Sequence, residues 1–342
     1  MPDATPAALG SPDLRVAGPR AFAVSRGAAP PPAALAGAVA AIGNFDGVHL
    51  GHRAVIGRAE ALARSLGRPA CVLTFEPHPR AYFRPGEPLF SLTPEPVKLA
   101  LLDHFGLDGA IVVPFDAALA ATSAHDFLAD LLVGRLGLSG VVAGYDFHFG
   151  HDREGTPAFL LEHGRALGLA VEIVERLALQ GGPVSSTAVR RALQEGDVEQ
   201  AARLLGYRWV VRSTVQHGDK RGRTLGYPTA NLRMTPGFGL RHGIYAVRIA
   251  LDGVVHDGVA SYGRRPTFDD GAPLLEVHLF DFSGDLYGGT ADVEFAAWIR
   301  GEEKFASADA LIARMDQDSA EARAALARAQ DVPAPSVLPL RP

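Results

Sequence analysis

The chain has 342 residues, a formal net charge of −5 and a single cysteine. This length suits two domains better than one ordinary core, and one cysteine excludes an intramolecular disulfide and a thiolate metal cluster. The acidic balance argues against a nucleic-acid surface, and the lack of a long apolar segment or a basic-then-apolar leader predicts a cytoplasmic protein without membrane contact.

Both ends of the chain are poor in structure-forming residues. Residues 1–37 are rich in Ala, Pro and Gly, and we expect them to be partly disordered, although LRVAG at 14–18 and AFAVS at 21–25 could add short strands. The segment DVPAPSVLPLRP at 331–342 is predicted to be a flexible tail.

A glycine-bearing turn follows the first predicted strand. The apolar run AGAVAAI ends at Ile42, GNFDGVHLGH spans residues 43–52, and the apolar spacing beyond it predicts a helix. Unpaired N–H groups at a helix N-terminus attract phosphate, and His49 and His52 lie on one side of the first turn, where both can donate to phosphate oxygens. A lone histidine here would more often be a cap. The candidate phosphate-binding residues are Gly43, Asn44, Phe45, Asp46, Gly47 and Gly51.

Strands and helices then alternate. The predicted buried strands are 69–76, 109–115, 140–147 and 170–177, and the predicted helices open at Thr93-Pro94, span 124–136, and open again at Thr156-Pro157. This order predicts an α/β doubly wound domain with ligands at the carboxyl ends of its strands. Two loops just after such ends, TFEPHPRAYF at 74–83 and GYDFHFGHDREGT at 144–156, are therefore candidates for ligand contact.

The segment VSSTAVRRALQEGDVEQAARLLGY at 184–207 predicts a further capped helix. The hydroxyls of Ser185, Ser186 and Thr187 suit an N-cap or a bound anion, and Arg190, one turn into the helix, can reach a triphosphate. Taken alone, the segment is better described as an ordinary capped amphipathic helix.

From residue 207 onward the pattern changes to short period-2 runs broken by glycines. Such runs predict a small antiparallel β-barrel, since closure removes exposed strand edges, and residues 307–329 predict a terminal amphipathic helix.

The predicted barrel carries a second candidate phosphate site, GRTLGYPTAN at 222–231. Gly222 and Gly226 allow close backbone contact with phosphates, while Thr229 and Asn231 point the same way on an extended segment and are candidate Mg²⁺ ligands. A proline-bearing turn in a barrel is the simpler interpretation of the motif by itself. Glu276, likewise, could be a strand glutamate facing solvent.

Two of these motifs resemble the signatures of one superfamily. GNFDGVHLGH resembles the HxGH signature of the nucleotidyltransferase superfamily, in the form found in the adenylyltransferase half of bacterial bifunctional riboflavin kinases/FMN adenylyltransferases, and VSSTAVRR resembles the second signature of that superfamily. The resemblance implies adenylyl transfer from Mg-ATP to FMN, with His49, His52 and Arg190 as catalytic residues and Ser185, Ser186 and Thr187 at the phosphates.

The 144–156 loop resembles a flavin-side loop of the same family. Asp146, Phe147 and Arg153 match it and are implied flavin contacts. His148 stands where the family usually has Arg, and Thr156 where it has Asp, so His148 is either a phosphate donor or a histidine satisfied by loop carbonyls.

GRTLGYPTAN and residues 258–288 resemble riboflavin kinase. The resemblance implies that Glu276 is the base for the ribityl hydroxyl, that Thr229 and Asn231 hold Mg²⁺, and that Arg300 and Phe305 help close the flavin pocket. For Arg300 and Phe305, a capped surface helix is the alternative interpretation. Ser261-Tyr262 replaces the family's usual Asn-Ile or Asn-Val.

The resemblance implies an HxGH, Rossmann-like nucleotidyltransferase domain at 38–206, followed by a β-barrel riboflavin kinase domain with a C-terminal helix at 207–330. Its substrates would be riboflavin, FMN and ATP. Two alternatives remain at this point: another adenylyl- or cytidylyltransferase, which leaves the barrel motifs unexplained, and a non-catalytic flavin sensor, which the retained polar groups disfavour.

Overall fold

Two architectures follow each other along the chain: a parallel sheet covered by helices and a closed antiparallel barrel. These two architectures confirm both halves of the predicted fold class. The computed structural model describes residues 21–179, 182–217, 226–235, 237–264, 273–329 and 335–341.

The first part is built on six parallel strands in the order β1-β4-β3-β2-β5-β6. The strands are largely buried, as expected when helices cover both faces of a parallel sheet. Their bounds are β1 Ala23–Arg26, β2 Val39–Ile42, β3 Ala70–Glu76, β4 Gly109–Pro114, β5 Gly140–Gly144 and β6 Ala170–Val174.

The helices between these strands begin close to the predicted positions. Thr156 caps one of them by accepting a hydrogen bond from the amide of Phe159 at 3.1 Å. The predicted 124–136 helix starts as a short α-helix and continues as a π-helix at Phe127–Arg135, a widening that the local sequence does not signal. The α-helices are α1 Leu50–Leu66, α2 Pro79–Phe83, α3 Glu95–His104, α4 Ala117–Ala120, α5 Ala124–Asp126, α6 Pro157–Ala166, α7 Ser186–Glu195 and α8 Val198–Leu205.

The strand order creates a switch point beside β2. The chain steps from β2 through β3 to β4 on one side, and then returns to place β5 on the other side of β2. Ligands of open α/β sheets bind at such a point, outside the carboxyl ends of the strands. The 43–52 motif follows β2 and therefore lies there.

After a two-stranded hairpin formed by β7 Ala178–Leu179 and β8 Gly182–Pro183, six antiparallel strands close into a barrel in the order β10-β13-β12-β11-β14-β9. Leu275 and Val277 are fully buried, so Glu276 between them lies on the other face of its strand. The barrel strands are β9 Val210–Gln216, β10 Ala230–Arg233, β11 Gly243–Leu251, β12 Val254–Arg264, β13 Pro273–Leu279 and β14 Thr290–Arg300.

A long helix, α9 at Ala308–Arg328, packs against β11, β12 and β14 on the outside of the barrel. The Ser307 side chain caps it by accepting a hydrogen bond from the amide of Ala310 at 3.2 Å. Within the described residues, no helix combines the length and the apolar character needed to cross a membrane.

Both ends of the chain contribute to the folded part. The short strand considered for AFAVS at 21–25 is present as β1, which pairs with β4, so the sheet begins upstream of residue 38, while LRVAG at 14–18 lies outside the described residues. The tail also packs: Val337 and Leu340 are buried, because their apolar side chains join the main hydrophobic core despite the neighbouring prolines.

One hydrophobic core joins the sheet to the barrel. Phe90 and Leu92, from the loop before α3, lie in the same buried cluster as Trp209 and Tyr245 of the barrel. The rings of Phe90 and Trp209 meet edge to face with centroids 5.8 Å apart. A continuous apolar interface of this kind holds two domains in a defined arrangement.

A buried ion pair lies at the base of the barrel. The Arg208 guanidinium lies 3.3 Å from a carboxylate oxygen of Glu294, and Ser336 donates to the other oxygen at 2.6 Å. Arg208 also donates to the carbonyl of Ala329. Burial raises the pKa of Glu294, while Ser336 and Arg208 act in the opposite direction.

We expect Arg208→Met to lower the free energy of unfolding by about 3 kcal/mol, because it leaves the Glu294 carboxylate buried without its cation. Urea denaturation measures this change. Adding Glu294→Gln should restore part of the loss, and Arg191→Met, at an exposed pair with Glu195, should change stability little. A loss no larger in Arg208→Met than in Arg191→Met would contradict this account.

Candidate active sites

The 43–52 motif forms a loop that ends in a stacked pair of histidines. His49 is the N-cap of α1, and its Nδ1 accepts a hydrogen bond from the amide of His52 at 3.2 Å. The two rings stack with centroids 3.6 Å apart and planes 13° apart. A Cβ at Gly51 would lie 3.2 Å from the His49 ring, so a glycine at this position makes room for the stack.

Both imidazoles are held neutral near pH 7. Burial lowers the pKa of His49 to about 4. Burial also lowers the pKa of His52 well below 6.5, with further contributions from His49 and Lys98. Because Nδ1 of His49 accepts a hydrogen bond, its single proton lies on Nε2, which is then available to donate to a ligand.

Asp46 holds this loop in place. One carboxylate oxygen accepts hydrogen bonds from the amides of Leu92 and Thr93, both at 2.9 Å, and the other accepts from the Arg190 guanidinium. Arg190 also donates to the carbonyl of Phe90 at 2.7 Å. Asp46 is one of the predicted phosphate-binding residues, and the fold brings these segments to the loop, so its carboxylate is bonded to protein donors.

The second predicted signature meets the first at this point. Ser185 caps α7 by accepting from the amide of Ala188 at 3.2 Å, and Ser186 donates to the carbonyl of Asp46 at 2.8 Å. Thr187 is exposed. The structure thus brings α7 to the histidine loop, with two of its three hydroxyls already bonded to protein.

The other predicted phosphate-binding residues of the 43–52 motif differ in their surroundings. Gly43 and Asn44 are half-buried, whereas the Phe45 ring is buried and meets His52 edge to face at 5.2 Å. Gly47 has φ +88°, and a Cβ there would lie 2.8 Å from the Leu92 side chain. Glycine at this position therefore permits both the turn and its close packing.

A buried lysine that the sequence patterns did not single out lies near the histidines. The side chain of Lys98 is only 3% exposed, and its Nζ lies 2.6 Å from a carboxylate oxygen of Glu76, at the end of β3. The charge of Lys98 helps to lower the pKa of His52 and of His78, although burial is the largest cause for both. A lysine within the apolar run of α3 was the available signal.

An aromatic cluster lies at the same edge of the sheet, where the 74–83 loop was a candidate for ligand contact but its aromatic residues were not singled out. Tyr82, Phe83 and Phe115 follow β3 and β4, with ring centroids between 5.2 and 5.6 Å apart. Phe83 is 63% exposed. An exposed aromatic ring beside a ligand-binding edge suits stacking against a planar ligand. Two consecutive aromatic residues just after a predicted strand were the signal.

The 144–156 loop places its predicted flavin contacts after β5. Asp146 and Arg153 are exposed, while Phe147 is half-buried and stacks on Phe149 with centroids 5.4 Å apart. Nδ1 of His148 lies 2.9 Å from the carbonyl of Asp146, which is the loop-carbonyl contact of one alternative, and the exposed ring leaves Nε2 for the phosphate contact of the other.

The barrel carries a cavity of about 340 Å³ between its outer face and α9. Four predicted site residues line it: Thr229, Glu276, Arg300 and Phe305. Residues this far apart in sequence meet because β10 and β13 are neighbours and β14 leads into the loop before α9.

Asn231 lies directly opposite Glu276 in the pairing of β10 with β13, and Ser261 lies opposite Glu276 on β12. Residues opposite each other in antiparallel strands share a face. Asn231 is 7% exposed, and its Nδ2 lies 3.3 Å from the carbonyl of Thr229. Its Oδ1 is fully enclosed and has no hydrogen-bond partner within the described part of the chain.

An enclosed amide oxygen without a donor fits an oxygen-preferring cation such as Mg²⁺. No group of three or more His, Cys, Asp or Glu residues suited to a metal occurs among the residues that the structure describes. A cation bound at Asn231 would therefore need further oxygens from a phosphate ligand, which is the usual arrangement for Mg²⁺ with nucleotides.

Arg300, at the end of β14, binds α9 at the edge of the cavity. Its guanidinium makes two hydrogen bonds to Asp318 of α9, at 2.8 and 2.7 Å, and lies 5.7 Å from the centre of the Phe305 ring. Gly226 has φ +84°, in the left-handed region that favours glycine. Gly222 lies outside the described residues.

The fold and the two sites define a nucleotidyltransferase domain joined to a riboflavin kinase-type barrel. The FAD synthetase family matches residues 32–188, and the riboflavin kinase family matches residues 205–326. The chain belongs to the bifunctional riboflavin kinase/FMN adenylyltransferase family.

Individual relatives agree with this assignment. The chain is 42% identical to the bifunctional riboflavin kinase/FMN adenylyltransferase of Pseudomonas fluorescens, over 84% of this chain and 93% of the relative. It is 38% identical to the protein of the same name from Listeria monocytogenes, over 86% and 94%. The fold is also similar to that of a crystal structure whose name differs, a macrolide-efflux protein from Streptococcus pneumoniae, which is 32% identical with a TM-score of 0.76 over 84% of this chain and 94% of that one.

The buried His49 should make stability fall as the pH is lowered. Between about pH 6.5 and about pH 4 the unfolded chain binds a proton that folded His49 does not, so the free energy of unfolding rises with pH in this window. His49→Asn keeps a good N-cap without a titrating group, and it should remove up to roughly 3 kcal/mol of that dependence. Urea denaturation at several pH values tests this; equal slopes in both proteins would contradict it.

Proposed function

We propose that the protein phosphorylates riboflavin to FMN in the barrel and transfers AMP from ATP to FMN in the first domain, releasing pyrophosphate. The observation that carries this proposal is the presence of two separate polar sites of different design in one chain. One is the neutral histidine pair at the start of α1, and the other is the cavity that joins Glu276 to the Asn231 strand.

In the adenylyl-transfer step the terminal phosphate of FMN attacks the α-phosphate of ATP, so no protein nucleophile is required. We assign to Nε2 of His49 and to His52 the donation of hydrogen bonds to phosphate oxygens as their charge grows in the transition state. The N-terminus of α1 would support the same anion, as would Arg190 and Lys98, whose charges are shared with the Asp46 and Glu76 carboxylates. Placed in this way, the groups contribute by position and electrostatics.

The remaining predicted residues of the first domain receive roles in binding. The backbone of the 43–52 loop and the hydroxyls of Ser185, Ser186 and Thr187 would contact ATP phosphates. The flavin would lie along the carboxyl edge of the sheet against Asp146, Phe147 and Arg153, with the exposed Phe83 as a further stacking surface.

In the kinase step Glu276 would accept the proton of the ribityl hydroxyl that attacks the γ-phosphate of ATP. Thr229 and Asn231 would hold Mg²⁺, which supplies neutralisation of charge on the phosphate oxygens when bound. Gly222 and Gly226 would allow the backbone to approach the phosphates. Arg300 and Phe305 would bound the flavin side of the cavity.

The function is tested by incubating the purified protein with riboflavin, ATP and Mg²⁺ and separating the flavins by chromatography over time. FMN that appears first and is then converted to FAD supports both activities. FMN without FAD would contradict the role of the first domain. Tight flavin binding without any conversion would favour a flavin sensor instead.

Changing His52 to Ala should lower FAD formation at least 100-fold while FMN still accumulates, because only the first site loses a donor to the transition state. The rates of both steps are measured separately, with riboflavin or with FMN supplied. The exposed His125 offers a matched control, since His125→Ala should leave both rates unchanged. Equal loss of both activities in His52→Ala would contradict the two-site arrangement.

Glu276→Gln should have the reverse effect. Riboflavin phosphorylation should fall at least 100-fold, because the amide cannot accept the proton, while supplied FMN is still converted to FAD. Asp257→Asn, on a half-exposed carboxylate of neighbouring strand β12, serves as the control. A Glu276→Gln protein that lost only FAD synthesis would show that the two activities are assigned to the wrong domains.

A further inference from the structure

The segment that enters the barrel also reaches back to the first site. Tyr207 and Trp209 are fully buried. The Tyr207 hydroxyl donates to the carbonyl of Gly47 at 2.8 Å, and Nε1 of Trp209 donates to the carbonyl of Leu92 at 2.9 Å. Arg208, between them, makes its contacts with Glu294 at the base of the barrel instead. Side chains of an extended segment alternate in direction, so one short stretch contacts both domains.

Both acceptors belong to the network that shapes the histidine loop. Gly47 lies between Asp46 and His49, and its amide donates to Oγ1 of Thr93 at 2.8 Å. The amides of Leu92 and Thr93 are the donors to the Asp46 carboxylate. Tyr207 therefore holds the loop directly, and Trp209 holds the segment that binds Asp46.

The loop needs such support because its backbone is strained. Phe45 has φ 50° and Val48 has φ 37°, in the left-handed region that non-glycine residues rarely adopt and that is especially unfavourable for a β-branched side chain. Strained conformations of this kind persist only where the surroundings over-determine them. The long-range hydrogen bonds donated by Tyr207 and Trp209 are among the contacts that hold the loop in this conformation.

We propose that Tyr207 and Trp209 are positioning residues for the adenylyl-transfer step, supplied by the kinase part of the chain to hold His49 and His52 in their reactive arrangement. Both lie within the residues that match the riboflavin kinase family, outside those that match FAD synthetase. The inference rests on the proposed adenylyl transfer in the first domain. Burial raises the pKa of Tyr207, so its hydroxyl keeps its proton at working pH.

Tyr207→Phe in the full chain removes one hydroxyl and keeps the ring. We expect kcat for FAD formation from FMN to fall about tenfold, the size of one net hydrogen bond. KM for ATP and for FMN should change less than twofold, because a mispositioned donor is lost mainly in the transition state. The rate of riboflavin phosphorylation should stay unchanged.

Tyr245→Phe is the matched control. Its hydroxyl donates to the carbonyl of Arg241 at 2.5 Å, and its ring is also fully buried, but its contacts lie away from the histidine loop. It should lose similar stability while keeping FAD formation. The chain has two tryptophans, so the same test can be made on Trp209 with Trp298 as its control. Trp209→Phe should lower kcat for FAD formation about as much as Tyr207→Phe, and Trp298→Phe should leave it unchanged.

The outcomes separate the inference from the function on which it rests. Selective loss of adenylyl-transfer kcat in the 207 and 209 variants supports the positioning role. FAD formation equal to that of the control variants, or parallel loss of both activities, overturns it. A wild-type protein that forms no FAD at all refutes the proposed function, and the inference with it.

Discussion

The bonds made by the Asp46 carboxylate organise the first site. A buried carboxylate is unfavourable unless its oxygens are satisfied, and here two backbone amides and the Arg190 guanidinium satisfy them. These donors come from the loop before α3 and from α7, so one charge joins three distant segments at the switch point of the sheet. The histidine loop takes its shape from this arrangement.

The two sites differ in a way that fits the chemistry proposed for each. The first uses buried, neutral imidazoles at a helix N-terminus, which suits stabilisation of growing phosphate charge without proton transfer to the protein. The second sets a carboxylate, Glu276, opposite an enclosed amide oxygen, Asn231, which suits proton abstraction beside a cation. One continuous core keeps both sites in a single folded unit.

Sequence reasoning was most accurate where the determinants are local. The alternation of strands and helices, the helix starts near residues 307 and 156, and the change to a barrel after residue 206 follow from short-range patterns. The bonds of the Asp46 carboxylate could not be predicted, because its amide donors are 46 and 47 residues away and have no side-chain signature. The expectation of a flexible tail did not anticipate the burial of Val337 and Leu340, which depends on surfaces formed elsewhere.

The sequence by itself determined which chemical groups stand at each site: two histidines three residues apart after a glycine-bearing turn, and a Thr-x-Asn segment within a barrel. Local backbone rules suffice for this, because helix starts and strand alternation depend on neighbouring residues. Only the tertiary structure decided which polar groups remain available for a ligand, which imidazoles are neutral, and that Lys98 lies beside them. Those properties arise from burial and from contacts between distant segments, and both exist only once the chain has folded.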